Sequence, residues 1–136
     1  MKLSECIKIE SFDFDPDATT ETEISWTDLR DFNCFLAQFV RTIGAGAVTL
    51  KIQGSAASDG SNPVDVVTKT VSAEPDAVGD CIFLEATEND FLAAGEGLRY
   101  GSAVVSVATA GDEGVVTYVL GGAQHKYAGL TSDIVA

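Results

Sequence analysis

Histidine is almost missing from this sequence: the chain has one, His125, among 136 residues. Histidine is the usual general base and metal ligand. A Ser-His-Asp or Cys-His set would have to be built on a residue in Gly-Gly-Ala-Gln-His-Lys-Tyr, beyond the last regular segment, rather than on a rigid scaffold. A zinc site would need His125 to gather cysteines that stand at no ligand spacing. His125 therefore reads as a surface or interface residue, and we expect no catalysis, no metal and no cofactor.

Cysteine is scarce and odd in number: Cys6, Cys34 and Cys81, with no Cys-x-x-Cys. That argues against a disulfide framework and for folding in a reducing compartment. Basic residues are few, 8 against 21 acidic ones, for a net charge of −13. A field of that sign repels phosphate backbones and anionic membranes, so we expect no nucleic-acid and no membrane partner. The acids are spread along the chain, which speaks for solubility at high local concentration rather than DNA mimicry. No apolar run approaches the length of a membrane span. The opening Met-Lys-Leu-Ser-Glu-Cys-Ile-Lys lacks the apolar core of a secretory signal, and the expectation is assembly in the cytoplasm.

What the chain does have is 46% hydrophobic residues, 13 glycines and only 3 prolines, with Val, Thr and Ala abundant. The mixture favours sheet over helix. Period-two alternation predicts strands over Cys6 to Glu10, continuing through Phe12 to Asp17, and over Glu23 to Trp26, Val48 to Gln53, Val64 to Val71 and Cys81 to Glu85. Phe32 to Ile43 is apolar throughout and reads as a strand from its aromatic and β-branched content. Tyr100 to Thr109 and Val115 to Leu120 are two strands of small and β-branched residues joined by Gly-Asp-Glu-Gly. Thr27 to Asp31 reads as a turn, Gly44-Ala-Gly46 as a hairpin turn, and Ala56 to Pro63 and Glu74 to Asp80 as loops. Glu88 to Ala94 is the one short helix, closed by Gly95. About eight short strands and one helix predict an all-β, jelly-roll-like antiparallel β-sandwich. We read residues 1–136 as a single domain with extended N- and C-terminal arms. Its core should hold Phe35, Val40, Leu50, Ile52, Phe83, Val105, Val107 and Val119.

Few patterns point to chemistry. Asp13, Asp15 and Asp17 open like a calcium loop, but the sixth position is Ala18 instead of Gly and the twelfth is Ile24 instead of Glu. The array reads as the solvent face of an edge strand, which also discourages unwanted pairing. Gly44-Ala-Gly46 lacks the Lys-Ser/Thr of a phosphate loop. Nothing singles out a carboxylate pair for glycoside hydrolysis. Trp26 and the phenylalanines could make a sugar platform, but alternation assigns most of them to the core.

The order of features resembles small virion proteins of tailed bacteriophages. An aromatic and aliphatic strand (Phe32 to Ile43) precedes a Gly/Ala turn, then Val-Thr-Leu-Lys-Ile-Gln (Val48 to Gln53) and a Ser-Asp-Gly loop (Ser58 to Asn62). Later come Arg-Tyr with a Val/Ala strand (Leu98 to Thr109), a Gly-rich turn (Gly111 to Gly114), a Val strand (Val115 to Leu120) and a closing Lys126-Tyr127. The resemblance spans about residues 24 to 130. It implies a decoration, or cement, protein on the outer capsid surface, bound to the major capsid protein, as a homotrimer. The small residues of the late strands and both termini are then the expected contacts, with Met1, Lys2, Leu3, His125, Lys126 and Tyr127 as interface residues. The alternatives are a carbohydrate- or host-binding β-sandwich module, which needs exposed aromatics beside polar loops, and a minor head or tail component.

Overall fold

The computed structural model describes residues 7–15, 19–71 and 81–122. They form two antiparallel sheets. The first contains β1 (Lys8–Phe14), β9 (Glu113–Gly121), β4 (Cys34–Ile43) and β7 (Cys81–Thr87), in that order. The second contains β2 (Thr22–Glu23), β8 (Tyr100–Val107), β5 (Val48–Ser55) and β6 (Val64–Val71), with β3 (Thr27–Asp28) also paired to β8. Apart from the β5–β6 hairpin and the step from β2 to β3, every sequential pair of strands lies in opposite sheets. This alternation is the connectivity of a jelly roll, and the expected fold class holds. The described residues carry nine strands, one more than the alternation suggests, because β2 and β3 are two halves of one interrupted edge strand along β8.

The predicted helix is α1 (Glu88–Ala94). Thr87 caps it: its hydroxyl accepts from the Asp90 backbone N–H, and the Asp90 carboxylate accepts from the Thr87 N–H at 2.8 Å. Phe91 is its buried residue, and the Gly95 N–H closes the last turn on the Phe91 carbonyl at 3.1 Å.

Period-two burial fills the space between the sheets. Phe35, Ala37 and Phe39 of β4 meet Val116, Tyr118 and Leu120 of β9, and Val48, Leu50 and Ile52 of β5 lie beside Ala103, Val105 and Val107 of β8. Five of the eight expected core residues are there: Phe35, Leu50, Ile52, Val105 and Val107. Three are not. Phe83 is 55% exposed, and Val40 and Val119 are half-buried on the outer face of the first sheet. In Cys-Ile-Phe-Leu-Glu, Ile82 and Ala86 turn inward and Cys81, Phe83 and Glu85 outward. Consecutive apolar residues leave the register open by one, and one step moves every side chain to the other face.

Two turns also differ from expectation. Gly44 to Ala47 is not a hairpin, since β4 and β5 belong to different sheets, and the glycine turn between β8 and β9 likewise crosses from one sheet to the other. Thr27–Asp28 pairs with Gly101 and Tyr100 as strand, so the turn is confined to Arg30 and Asp31. The loop Glu74 to Asp80 lies outside the described residues.

The burial difference gives a direct check. Phe39 is 0% exposed and packs edge-on to Phe14, with ring centroids 5.7 Å apart. Phe39→Ala should cost about 3–5 kcal/mol. Phe83→Ala, which gives up mainly the Lys69 ammonium 5.8 Å from its ring, should cost about 1 kcal/mol or less by urea unfolding.

Candidate functional site

The chemically capable side chains inside this protein hold its sheets together. Arg41 stands in the middle of the apolar run of β4 and is 0% exposed. Its guanidinium donates to Asp112 Oδ2 at 3.1 Å and to the carbonyl oxygens of Ile43 and Gly46. The same carboxylate oxygen accepts from the Gly46 N–H at 3.1 Å. Arg41 and Asp112 thus tie the β4–β5 crossing to the β8–β9 crossing at one end of the sandwich. The glycines serve this contact. Gly44 has φ +102°, and a Cβ there would sit 2.0 Å from Asp112 Oδ1; one on Gly46 would sit 2.9 Å from Asp112 Oδ2.

Tyr118 is the second tie. It springs from β9, crosses the core between Phe12 and Phe35, and delivers its hydroxyl to the opposite sheet. The hydroxyl accepts from the Ala103 N–H at 2.9 Å and the Ser25 N–H at 3.1 Å, and donates to the Ser25 carbonyl at 2.7 Å. Backbone groups left without strand partners between β2 and β3 are satisfied in this way. Burial pushes the Tyr118 hydroxyl's pKa up. Arg41, Asp112 and Tyr118 were missed by reading the sequence, although a lone arginine inside an apolar strand was a visible signal.

The two outer faces differ in character. On the first sheet, register lines up Ile9, Val119, Leu36 and Glu85 in one row, Ser11, Thr117, Gln38 and Phe83 in the next, and Asp13, Val115, Val40 and Cys81 in the third. Of these twelve positions only Asp13 and Glu85 are charged, and both lie on the edge strands β1 and β7. The central strands present Val115, Val119, Leu36 and Val40 with no charge between them. Ile9 and Phe83 are 59% and 55% exposed. The small residues of β8, expected at an oligomer contact, are buried within this protomer, whereas the outward row of β9 is available.

The second sheet's outer face is polar. Lys51 pairs with Glu21 at 2.7 Å and Asp65 at 3.4 Å, and the Gln53 amide donates to Asp65 at 2.8 Å. The hydrogen bond to Glu21 holds the Lys51 ammonium above its usual range. Trp26 belongs to this side and not to the core: it is half-buried, and its Nε1 donates to Glu23 at 3.1 Å.

A cleft of about 320 Å³ opens at the end of the sandwich away from Arg41, with Phe32, Phe35 and Phe91 in its lining and Arg30 and Arg99 among its polar residues. Arg99 is held by Asp28 through two bonds, at 2.7 and 3.1 Å, and that contact keeps the Asp28 carboxyl below its ordinary range. Asp13 and Asp15 line a shallow concavity with Glu23. No group of three or more His, Cys, Asp or Glu among the described residues is placed to hold a metal ion. Asp17, Cys6, and the expected interface residues Met1, Lys2, Leu3, His125, Lys126 and Tyr127 lie outside the described residues.

Two outcomes follow. Asp112→Ala leaves Arg41 buried without its carboxylate and should cost about 3–5 kcal/mol, read by chemical denaturation. Burial, and next the hydrogen bond to Glu85 at 2.8 Å, push the Cys34 thiol up to about 11. At pH 8, Cys34 should therefore react with a maleimide about 100-fold more slowly than an ordinary exposed thiol, as mass spectrometry of the labelled peptides would show.

No protein-family model matches the chain, and no curated protein matches it in sequence. Its fold does recur among solved structures. The PBSX exported protein XepA superposes with a TM-score of 0.60 at 14% identity, over 94% of this chain and 40% of that one. A chain of the disulfide-linked pili of Bacillus endospore appendages gives 0.53 at 13% identity, over 88% and 90%. The PRD1 vertex protein P5 gives 0.51 at 9% identity, over 83% and 95%. At such identities the likeness is one of fold: a β-sandwich shared by phage structural proteins and by unrelated proteins, and not the mark of a capsid-decoration family.

Proposed function

We propose that this chain is a non-catalytic structural protein of a tailed-phage virion that decorates the outer capsid surface by binding the major capsid protein. One observation carries the reading: in a chain of net charge −13, the central strands β4 and β9 expose an outward row without charge. Apolar, uncharged centres with polar rims are how protein contacts are built. The rim here is acidic, through Asp13 and Glu85, which suits a shell surface with an apolar patch and basic surroundings. A shell repeats that surface many times, so a modest contact made by each copy of a trimer is multiplied by avidity. The arrangement of Arg41, Asp112 and Tyr118 adds support, since the groups that might do chemistry are occupied in joining the sheets. The shared fold with the PRD1 vertex protein is compatible with a virion station. A second reading, a host-binding module or a minor head or tail component, draws on Trp26, which lies outside the core and beside a polar loop.

The test is co-sedimentation with expanded heads of the cognate phage, identified through the reading frames that neighbour its gene. The wild-type chain should bind as a trimer and lose less than about tenfold in affinity between low and moderate salt, because its contact is apolar. Leu36→Lys or Val119→Lys should abolish binding while leaving the thermal midpoint nearly unchanged. Binding unaffected by both variants would remove this face from the contact, and no binding at any salt would overturn the decoration role.

A further inference from the structure

We propose that Trp26 and the loop 56–63 form a stacking site for an uncharged pyranose sugar of a glycan. Trp26 follows β2, on the far side of β8, while the loop joins β5 to β6. The two nevertheless meet: a Cβ on Gly60 would lie 2.1 Å from Trp26 Nε1 and 2.2 Å from Cε2. The indole therefore reaches across β8 and β5 on the outer face. Outward-facing Ser102 and Val104 are 0% and 2% exposed, as strands beneath such a cover should be. The ring is held at two points, by Glu23 at Nε1 and by Gly60, while part of its surface stays open to solvent.

The loop is itself fixed. Asp59 Oδ1 accepts from the Ser61 N–H at 3.0 Å and hydroxyl at 2.6 Å, the Gly60 N–H bonds the Ala57 carbonyl, and the Ser55 hydroxyl bonds the Ser61 carbonyl at 2.6 Å. Gly60 takes φ +78°, and Asn62 stands at φ +51° with its amide exposed and without a hydrogen bond among the described residues. A pre-ordered aromatic surface beside fixed polar groups is what a sugar ring requires: its apolar C–H face lies on the indole, and its hydroxyls meet amide and carboxylate edges. Glu23 and Asp59, in a chain already strongly acidic, select against uronic and sialic acids. Uncharged hexopyranoses are the class that fits. This activity does not depend on shell attachment, and its failure leaves that reading standing.

Trp26 is the only tryptophan, so its fluorescence reports the site directly. The native chain is titrated with maltotriose, cellotriose and β-1,4-galactotriose, and with trigalacturonate as the anionic control. A saturable emission change with at least one neutral trisaccharide is expected, with Kd on the order of a millimolar, and none with trigalacturonate. Calorimetry on Trp26→Ala should show affinity lowered at least about tenfold, with co-sedimentation on heads retained. Where that variant fails to fold, amide shifts on the native chain decide: changes confined to residues 23–27 and 56–63 support the site, and changes elsewhere overturn it. No response to any neutral probe, equal binding of trigalacturonate, or unchanged affinity in folded Trp26→Ala would also overturn it.

Discussion

The Arg41–Asp112 pair is the constraint on which the sandwich depends. A jelly roll passes its chain between layers repeatedly, and at one end two such passages, after β4 and after β8, run side by side. Each exposes backbone carbonyls that no strand can satisfy. A buried guanidinium, with its planar fork of donors, answers several of them at once and needs a carboxylate to balance its charge. Asp112 supplies that charge and also takes the Gly46 N–H. Glycine at 44 and 46 is then obligatory, since any side chain there would displace the carboxylate. A four-residue passage that looks like a simple turn is shaped by a residue some seventy positions away.

The molecule divides its outer surface by chemistry. The β1-β9-β4-β7 face is apolar at its centre with carboxylates only at its margins. The β2-β8-β5-β6 face carries the Glu21, Lys51, Asp65 and Gln53 network, and Trp26 with its polar loop. Such a split suits a protein that rests on something with one side and faces solvent with the other.

Strand positions were legible in the sequence because their alternation is set by local chemistry, and the helix because Thr87 and Gly95 bracket it. What could not be read was which strands share a sheet. Gly44-Ala-Gly46 looks the same whether the next strand pairs with the last or leaves for the opposite layer, and only long-range packing decides. Facing was ambiguous for the same reason at Phe83 and Val119, where apolar residues occupy both parities. In β9 the decision rests with Tyr118: its ring fills the core and its hydroxyl must reach Ser25, so the even positions turn inward and Val119 turns out. At Trp26 the expectation of burial yielded to Gly60, a contact invisible without the topology. His125 and the termini lie beyond the described residues, so the expected contacts there rest on the resemblance alone.

The hydroxyl of Tyr118 has a consequence at the sheet's border. By lodging between β2 and β3 it splits what would be a continuous edge into two strands of two residues each. Open edges are templates on which further chains add, and their hazard grows with length. A protein crowded at many copies meets its own edges constantly. Here the outermost strand is too short to recruit a neighbour, so one tyrosine that stitches two layers also keeps separate molecules from growing into one sheet.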